Sequence, residues 1–178
     1  MGYYERRLPH CHIIGEPLFV TFRLHGSLPT SRVFPPSNMN DGETFAAMDR
    51  LLDHTRTGPM FLAQPEIAQV IVDALHDGER RFNRYQLHSY VVMANHVHIL
   101  TTPTQPATQW LGALKGFTAH RANYLLGRGG SFWQDESYDH LVRDSVEFDR
   151  IRRYIENNPV RAGLVPTPEA YPWSSAFR

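Results

Sequence analysis

The stretch from Tyr90 to Thr102, Tyr-Val-Val-Met-Ala-Asn-His-Val-His-Ile-Leu-Thr-Thr, constrains this chain more than any other. Its apolar residues and the Ala94-Asn95 break read as a hairpin, with Val91, Val92 and Met93 in the first strand. Side chains alternate along a strand, so His96 and His98 leave one face with Cα atoms roughly 6.5 Å apart. Val97 and Ile99 point the other way, into a core. Two imidazoles so placed can chelate a metal, provided that further ligands come from elsewhere.

The pair is not diagnostic by itself. Ten His in 178 residues make such spacings common, and His10 and His12 form a second one. Two hydrogen-bonded polar residues at a strand end would look the same, so the remaining chain has to supply the context.

A chain of 178 residues with 42% hydrophobic and 20% charged residues suits one globular domain, expected over residues 1–178. The single Cys11 cannot form an internal disulfide. No run reaches the length of a transmembrane span or matches a signal peptide, so a cytoplasmic protein with no membrane partner is expected. Eighteen Lys and Arg balance eighteen Asp and Glu. Any nucleic-acid surface must therefore be local.

Taken in order, residues 1–17 read as loop, with Arg6 and Arg7 as a small basic arm. Leu18 to Leu24 alternates as a first strand, with Val20, Phe22 and Leu24 on one face. Phe45, Met48, Leu51 and Leu52 give helical spacing after Asp41-Gly42. A better helix starts at Pro65, buries Ile67, Val70, Ile71, Ala74 and Leu75, and meets a stop signal at Asp77-Gly78. Another spans Ala107 to Leu126 with Trp110, Leu111, Leu114, Phe117, Ala122 and Leu125 as its apolar positions. Phe132 to Gln134 and Tyr138 to Arg143 read as extended. Asp144 with Glu147 then forms a capping box for a last helix, which Pro159 should end at Asn157 or Asn158.

On that last helix Arg150, Tyr154 and Asn158 recur every four residues and share a face. A phenol with a pKa near ~10 is a poor nucleophile until a cation or base activates it. A divalent ion held by His96, His98 and the amide oxygen of Asn158 could polarise a phosphodiester for attack by Tyr154. Tyr154 equally fits an amphipathic core residue with its hydroxyl at the surface.

Val91 to Leu100, Leu114-Lys-Gly-Phe-Thr118, Phe132-Trp-Gln134, Glu136-Ser-Tyr-Asp-His140 and Tyr154-Ile-Glu-Asn-Asn-Pro-Val-Arg-Ala-Gly-Leu-Val165 closely resemble the REP-associated tyrosine transposases. These are relatives of the IS200-type single-tyrosine transposases within the HUH nucleases. Phe19 to Pro29 and Trp173-Ser-Ser175 extend the resemblance, in the right order, over most of the chain. Ala94 stands where proline is common in the motif, and the chain lacks the longer tail of some relatives.

The resemblance implies a ferredoxin-like α+β fold, with a central antiparallel sheet carrying the HUH strand and helices packed on it. It makes His96, His98 and Asn158 metal ligands, Mg²⁺ or Mn²⁺ the ion, and Tyr154 the nucleophile. It further implies nicking and rejoining of single-stranded DNA beside hairpins through a 5′-phosphotyrosine. A monomer is expected, with a homodimer as the other arrangement.

Rival readings lack what they need. A cupin-type oxygenase wants an acid shortly after His98, where the first is Asp135, and a histidine-triad hydrolase wants His at the position of Leu100. The alternative within the family is a domesticated, non-catalytic hairpin binder. Arg6, Arg7, Lys115, Arg121, Arg150 and Arg153 are the candidate DNA contacts, with Arg152 and Arg161 adding charge. Trp110, Phe132, Trp133 and Tyr138 are available for base stacking, although core packing suits them better.

Overall fold

A computed structural model of the protein describes residues 13–28, 49–52 and 58–178. Strands β1 (Leu18–Arg23), β2 (Tyr85–Val92), β3 (His96–Pro103) and β4 (Tyr138–Leu141) form one sheet. Its order is β2-β3-β1-β4, and every pairing is antiparallel. Helices α1 (Pro65–Arg80) and α2 (Ala107–Leu125) connect β1 to β2 and β3 to β4, and α3 (Ser145–Arg161) follows the last strand. The βαββαβ path is the ferredoxin-like arrangement expected from the resemblance.

Strand alternation splits the interior in two. Leu18, Val20, Phe22, Val97, Ile99 and Val92 face α1 and α2, and with Ile67, Ile71, Leu75, Trp110 and Trp133 they make the larger core. Phe19, Val91, Met93 and Leu100 face Ile151 and Ile155 of α3 in a smaller one. His96 and His98 emerge on this second side, because Thr21 pairs with His98 and Phe19 with Leu100 in the register.

Several elements differ from expectation for identifiable reasons. Strand β2 begins at Tyr85 rather than near Val91, and an irregularity between Leu87 and Ser89 breaks the alternation that would have revealed it. Helix α1 runs through Gly78 to Arg80 instead of stopping there. The Tyr85 side chain occupies the space that a Cβ at Gly78 would need, and its hydroxyl donates to Leu75 O at 2.9 Å. The glycine serves close packing, not termination.

Helix α2 buries Trp110, Leu114, Thr118 and Ala122, while Phe117 and Leu125 are 58% and 44% exposed. Thr118 holds a core position because its hydroxyl is satisfied there, donating to Leu114 O at 2.7 Å and accepting from Trp133 Nε1 at 2.9 Å. Trp110, Phe132 and Trp133 are core residues, and Tyr138 is half-buried.

The cap of α3 is as read: Glu147 N donates to Asp144 Oδ1 at 2.8 Å, and Arg143 N donates to Glu147 Oε2 at 2.8 Å. Its end is not, since Pro159 lies inside the helix, which continues to Arg161. Proline removes the N–H that would bond Ile155 O. Beyond it the helix is closed by Ala162 N to Asn158 O at 2.9 Å, Leu164 N to Pro159 O at 2.9 Å, and Gly163 at φ 72°.

The final segment lies along the outer edge of β2. Val92 N donates to Trp173 O at 2.8 Å and Ser175 N to Tyr90 O at 3.0 Å. The helix read after Asp41 is seen only as the turn at residues 49–52, and its remainder, like residues 1–12, lies outside the described residues.

Candidate active site

The β2–β3 hairpin turns at Ala94-Asn95, closed by Met93 N donating to His96 O at 2.9 Å. Asn95 ties this turn to two neighbours. Its Nδ2 donates to Leu52 O at 3.1 Å, and its Oδ1 lies 2.7 Å from His96 Nδ1. On the adjacent strand Thr21 Oγ1 lies 2.7 Å from His98 Nδ1. With each Nδ1 occupied, the two Nε2 atoms are turned toward each other, 3.1 Å apart and wholly buried.

The bond from Asn95 to Leu52 helps fix the turn that carries Asp49. That carboxylate is 1% exposed, with Oδ1 2.8 Å from His98 Nε2 and 3.6 Å from His96 Nε2. Its other oxygen, Oδ2, accepts a hydrogen bond from the phenol of Tyr154. The Tyr154 ring stands 5.8 Å from His98 and 6.4 Å, edge-on, from Phe19. Arg161 places its guanidinium 4.8 Å over the same ring.

The residues fit a divalent cation. Asp49, His96 and His98 offer ligand atoms within 4.8 Å of one another. Two ligands at about 2.1 Å from one ion, at angles of about 90–110°, must lie about 3.0–3.4 Å apart, which the imidazole separation satisfies. Asn158, one turn beyond Tyr154, is fully buried, and neither of its amide atoms has a hydrogen-bond partner among the described residues. Buried amides are rarely left so, and a cation would satisfy the oxygen.

The electrostatics of His96 and Asp49 suit the same use. Burial pushes the His96 imidazole down to about 3, with His98 adding and Asp49 opposing, so it is neutral near pH 7. For Asp49, burial alone would raise the pKa, but His98, His96 and the Tyr154 hydrogen bond outweigh it and hold the carboxyl below its usual range. Burial, then the charge and hydrogen bond of Asp49, raise Tyr154 well above an ordinary phenol, while Arg161 opposes them.

Asp49 was missed in the sequence, although one signal pointed to it. It lies four residues after Phe45 and three before Leu52, within the apolar stripe of its segment, where an acid needs a partner. The candidate DNA contacts are not gathered on one surface. Lys115 donates from Nζ to Gln134 O at 2.6 Å and Asp135 O at 3.0 Å, and Arg121 lies over Tyr124 on the exposed side of α2. Arg150 pairs with Glu147 at 3.1 Å, and Arg153 donates from Nε to Asp149 O at 3.2 Å, both on α3 across the sheet. Arg6 and Arg7 lie outside the described residues.

A family model described as "Transposase IS200 like" matches residues 62–158. A Haemophilus influenzae protein named after the REP-associated tyrosine transposases is 30% identical over 82 residues, or 46% of this chain. That match spans 45% of the relative's own length. The structure of a REP-associated tyrosine transposase bound to a REP hairpin shares the fold, with a TM-score of 0.59 at 19% identity, over 98% of this chain and 82% of that one. The matched segment holds both histidines, Tyr154 and Asn158, and leaves out Asp49 and Arg161. Because it covers more than half of the sequence, the chain belongs to the IS200-like transposase family.

Proposed function

We propose that this protein nicks and rejoins single-stranded DNA beside hairpins, with Tyr154 as the nucleophile that becomes joined to a 5′ phosphate. The observation that carries this reading is the convergence of a half-buried phenol with a three-residue cluster of possible ligands. His96, His98 and Asp49 would hold Mg²⁺ or Mn²⁺, and Asn158 would complete the set from the nucleophile's own helix. The ion, when bound, supplies Lewis-acid polarisation of the phosphate.

The chain's own groups account for the rest. Tyr154 Oη forms a bond to phosphorus, and the bond from phosphorus to the 3′ oxygen breaks. Asp49 orients the phenol by accepting its hydrogen bond, the phenol proton is released to water as the bond to phosphorus forms, and the departing oxygen takes a proton from water to become a 3′-OH. Rejoining reverses these changes with a 3′-OH as attacking group.

The substrate reading draws support from charge placement. Between Glu79 and Asp135 there is no acid, while Arg80, Arg81, Arg84, Lys115, Arg121 and Arg128 fall in that interval. A neutral chain thus concentrates positive charge in one interval of its sequence. Arg6, Arg7, Lys115, Arg121, Arg150 and Arg153 remain the proposed contacts. No helix among the described residues is long and apolar enough to cross a membrane. The non-catalytic binder is disfavoured because a binder has no use for a phenol bonded to a ligand carboxylate.

The test is incubation with single-stranded hairpins and Mn²⁺. Wild type should give an adduct that survives denaturation and maps to the peptide holding Tyr154, and Tyr154→Phe should bind the hairpin without forming one. Undiminished cleavage by the Phe variant, or an adduct on another tyrosine, refutes the nucleophile.

A further inference from the structure

We infer that Arg161 is the phosphate clamp of this site, its guanidinium holding a non-bridging oxygen of the phosphate that Tyr154 attacks. The inference rests on the function proposed above and assigns it a further catalytic residue. Its basis is the continuation of α3 past Pro159. Had the helix ended at Asn158, Arg161 would have left the axis. Instead Tyr154, Asn158 and Arg161, spaced four and then three apart, lie along one helix face.

The position is specific. The Arg161 guanidinium lies 4.8 Å over the Tyr154 ring, and its Nη1 is 3.9 Å from Asp49 Oδ2, the oxygen that accepts the phenol hydrogen bond. Arg161 thus faces both partners of the Asp49–Tyr154 hydrogen bond. The side chain is 43% exposed while Asp49 is 1% exposed, so Arg161 spans from solvent to the buried carboxylate. A guanidinium presents a planar fork of donors matched to phosphate oxygens and keeps its charge at any working pH.

A clamp on phosphate charge acts where negative charge builds up in the transition state.

The experiment compares adduct formation by wild type, Arg161→Ala and Arg161→Lys on a hairpin-bearing single strand with Mn²⁺. The cleaved linkage is either a phosphodiester or a neutral methylphosphonate. Arg161→Ala should be slowed about 100-fold on the phosphodiester and only a few-fold on the methylphosphonate, which has no charge to hold. Arg161→Lys should recover part of the phosphodiester rate.

A second reading uses Tyr154→Phe as the uncleaving background, where adding Arg161→Ala should lower the salt slope of binding by about 0.7. Equal slowing on both linkages, no slowing on the phosphodiester, or an unchanged slope overturns the clamp. A wild type that forms no adduct overturns the proposed nucleophile and the clamp with it, whereas an adduct with an unaffected Arg161→Ala variant removes the clamp alone.

Discussion

Asp49 and Tyr154 lie 105 residues apart in the chain and share a hydrogen bond, the phenol donating to Oδ2, while Asp49 Oδ1 stands 2.8 Å from His98 Nε2. One carboxylate thus touches the histidine pair and the proposed nucleophile together. Asp49→Asn keeps the shape and removes the charge. Mn²⁺ affinity, measured by calorimetry without DNA, should fall at least about tenfold. Affinity equal to wild type would remove Asp49 from the ligand set.

Thr21 acts on the site through His98. Thr21→Val keeps the volume and deletes the hydroxyl 2.7 Å from His98 Nδ1, freeing that ring to turn. Mn²⁺ binding should weaken by about 10–100-fold, and folding stability should drop by about 1 kcal/mol. Loss of stability with unaltered Mn²⁺ binding would show that the hydroxyl matters for packing only.

Stability of the metal-free protein should decline as pH falls below about 6.5. Burial holds His96 down at about 3, and burial also lowers His76 and His88. Unfolded, these groups protonate near 6.5, so in the interval below that value the unfolded chain binds protons that the folded one refuses. Their contribution is complete above about 6.5 and shrinks as pH drops below it, for His96 down to about 3. For His96 the slope is at most about 1.4 kcal/mol per pH unit. Urea titrations at pH 7 and 5 check this, and a flat profile would contradict it.

Gly78→Ala should destabilise the fold by about 1–3 kcal/mol, because the added methyl meets the Tyr85 ring and hydroxyl. Tyr85 is buried and bonded to Leu75 O, so it has little room to move. Thermal melting should show the loss, and an unchanged midpoint would mean that Tyr85 has another resting place.

Local chemistry was legible in the sequence. The histidine pair, the four-residue spacing of Tyr154 and Asn158, and the Asp144–Glu147 cap each depend on neighbours within a helix turn or a strand repeat, and all stand where those periods put them. Features set by distant parts of the chain were not. The meeting of Asp49 with His98 depends on tertiary packing, including the Asn95 bond to Leu52. Gly78 looked like a terminator because Tyr85, which fills its missing side chain, lies on the next strand. Pro159 looked like one because the penalty for proline is local, whereas the bonds that carry α3 to Arg161 form after it.

The division of the interior into two unequal cores has a consequence for how the molecule opens. Helix α1 is anchored through Ile67, Ile71, Val72 and Leu75 in the larger core, whereas α3 rests on the sheet mainly through Ile151 and Ile155. Free energies of local opening follow such burial, so amide hydrogens of α3 should exchange sooner than those of α1. Tyr154 therefore rides on the less deeply anchored of these two helices. Such opening would let the DNA strand of the proposed reaction enter between α3 and the histidine face while α1 stays packed on the sheet.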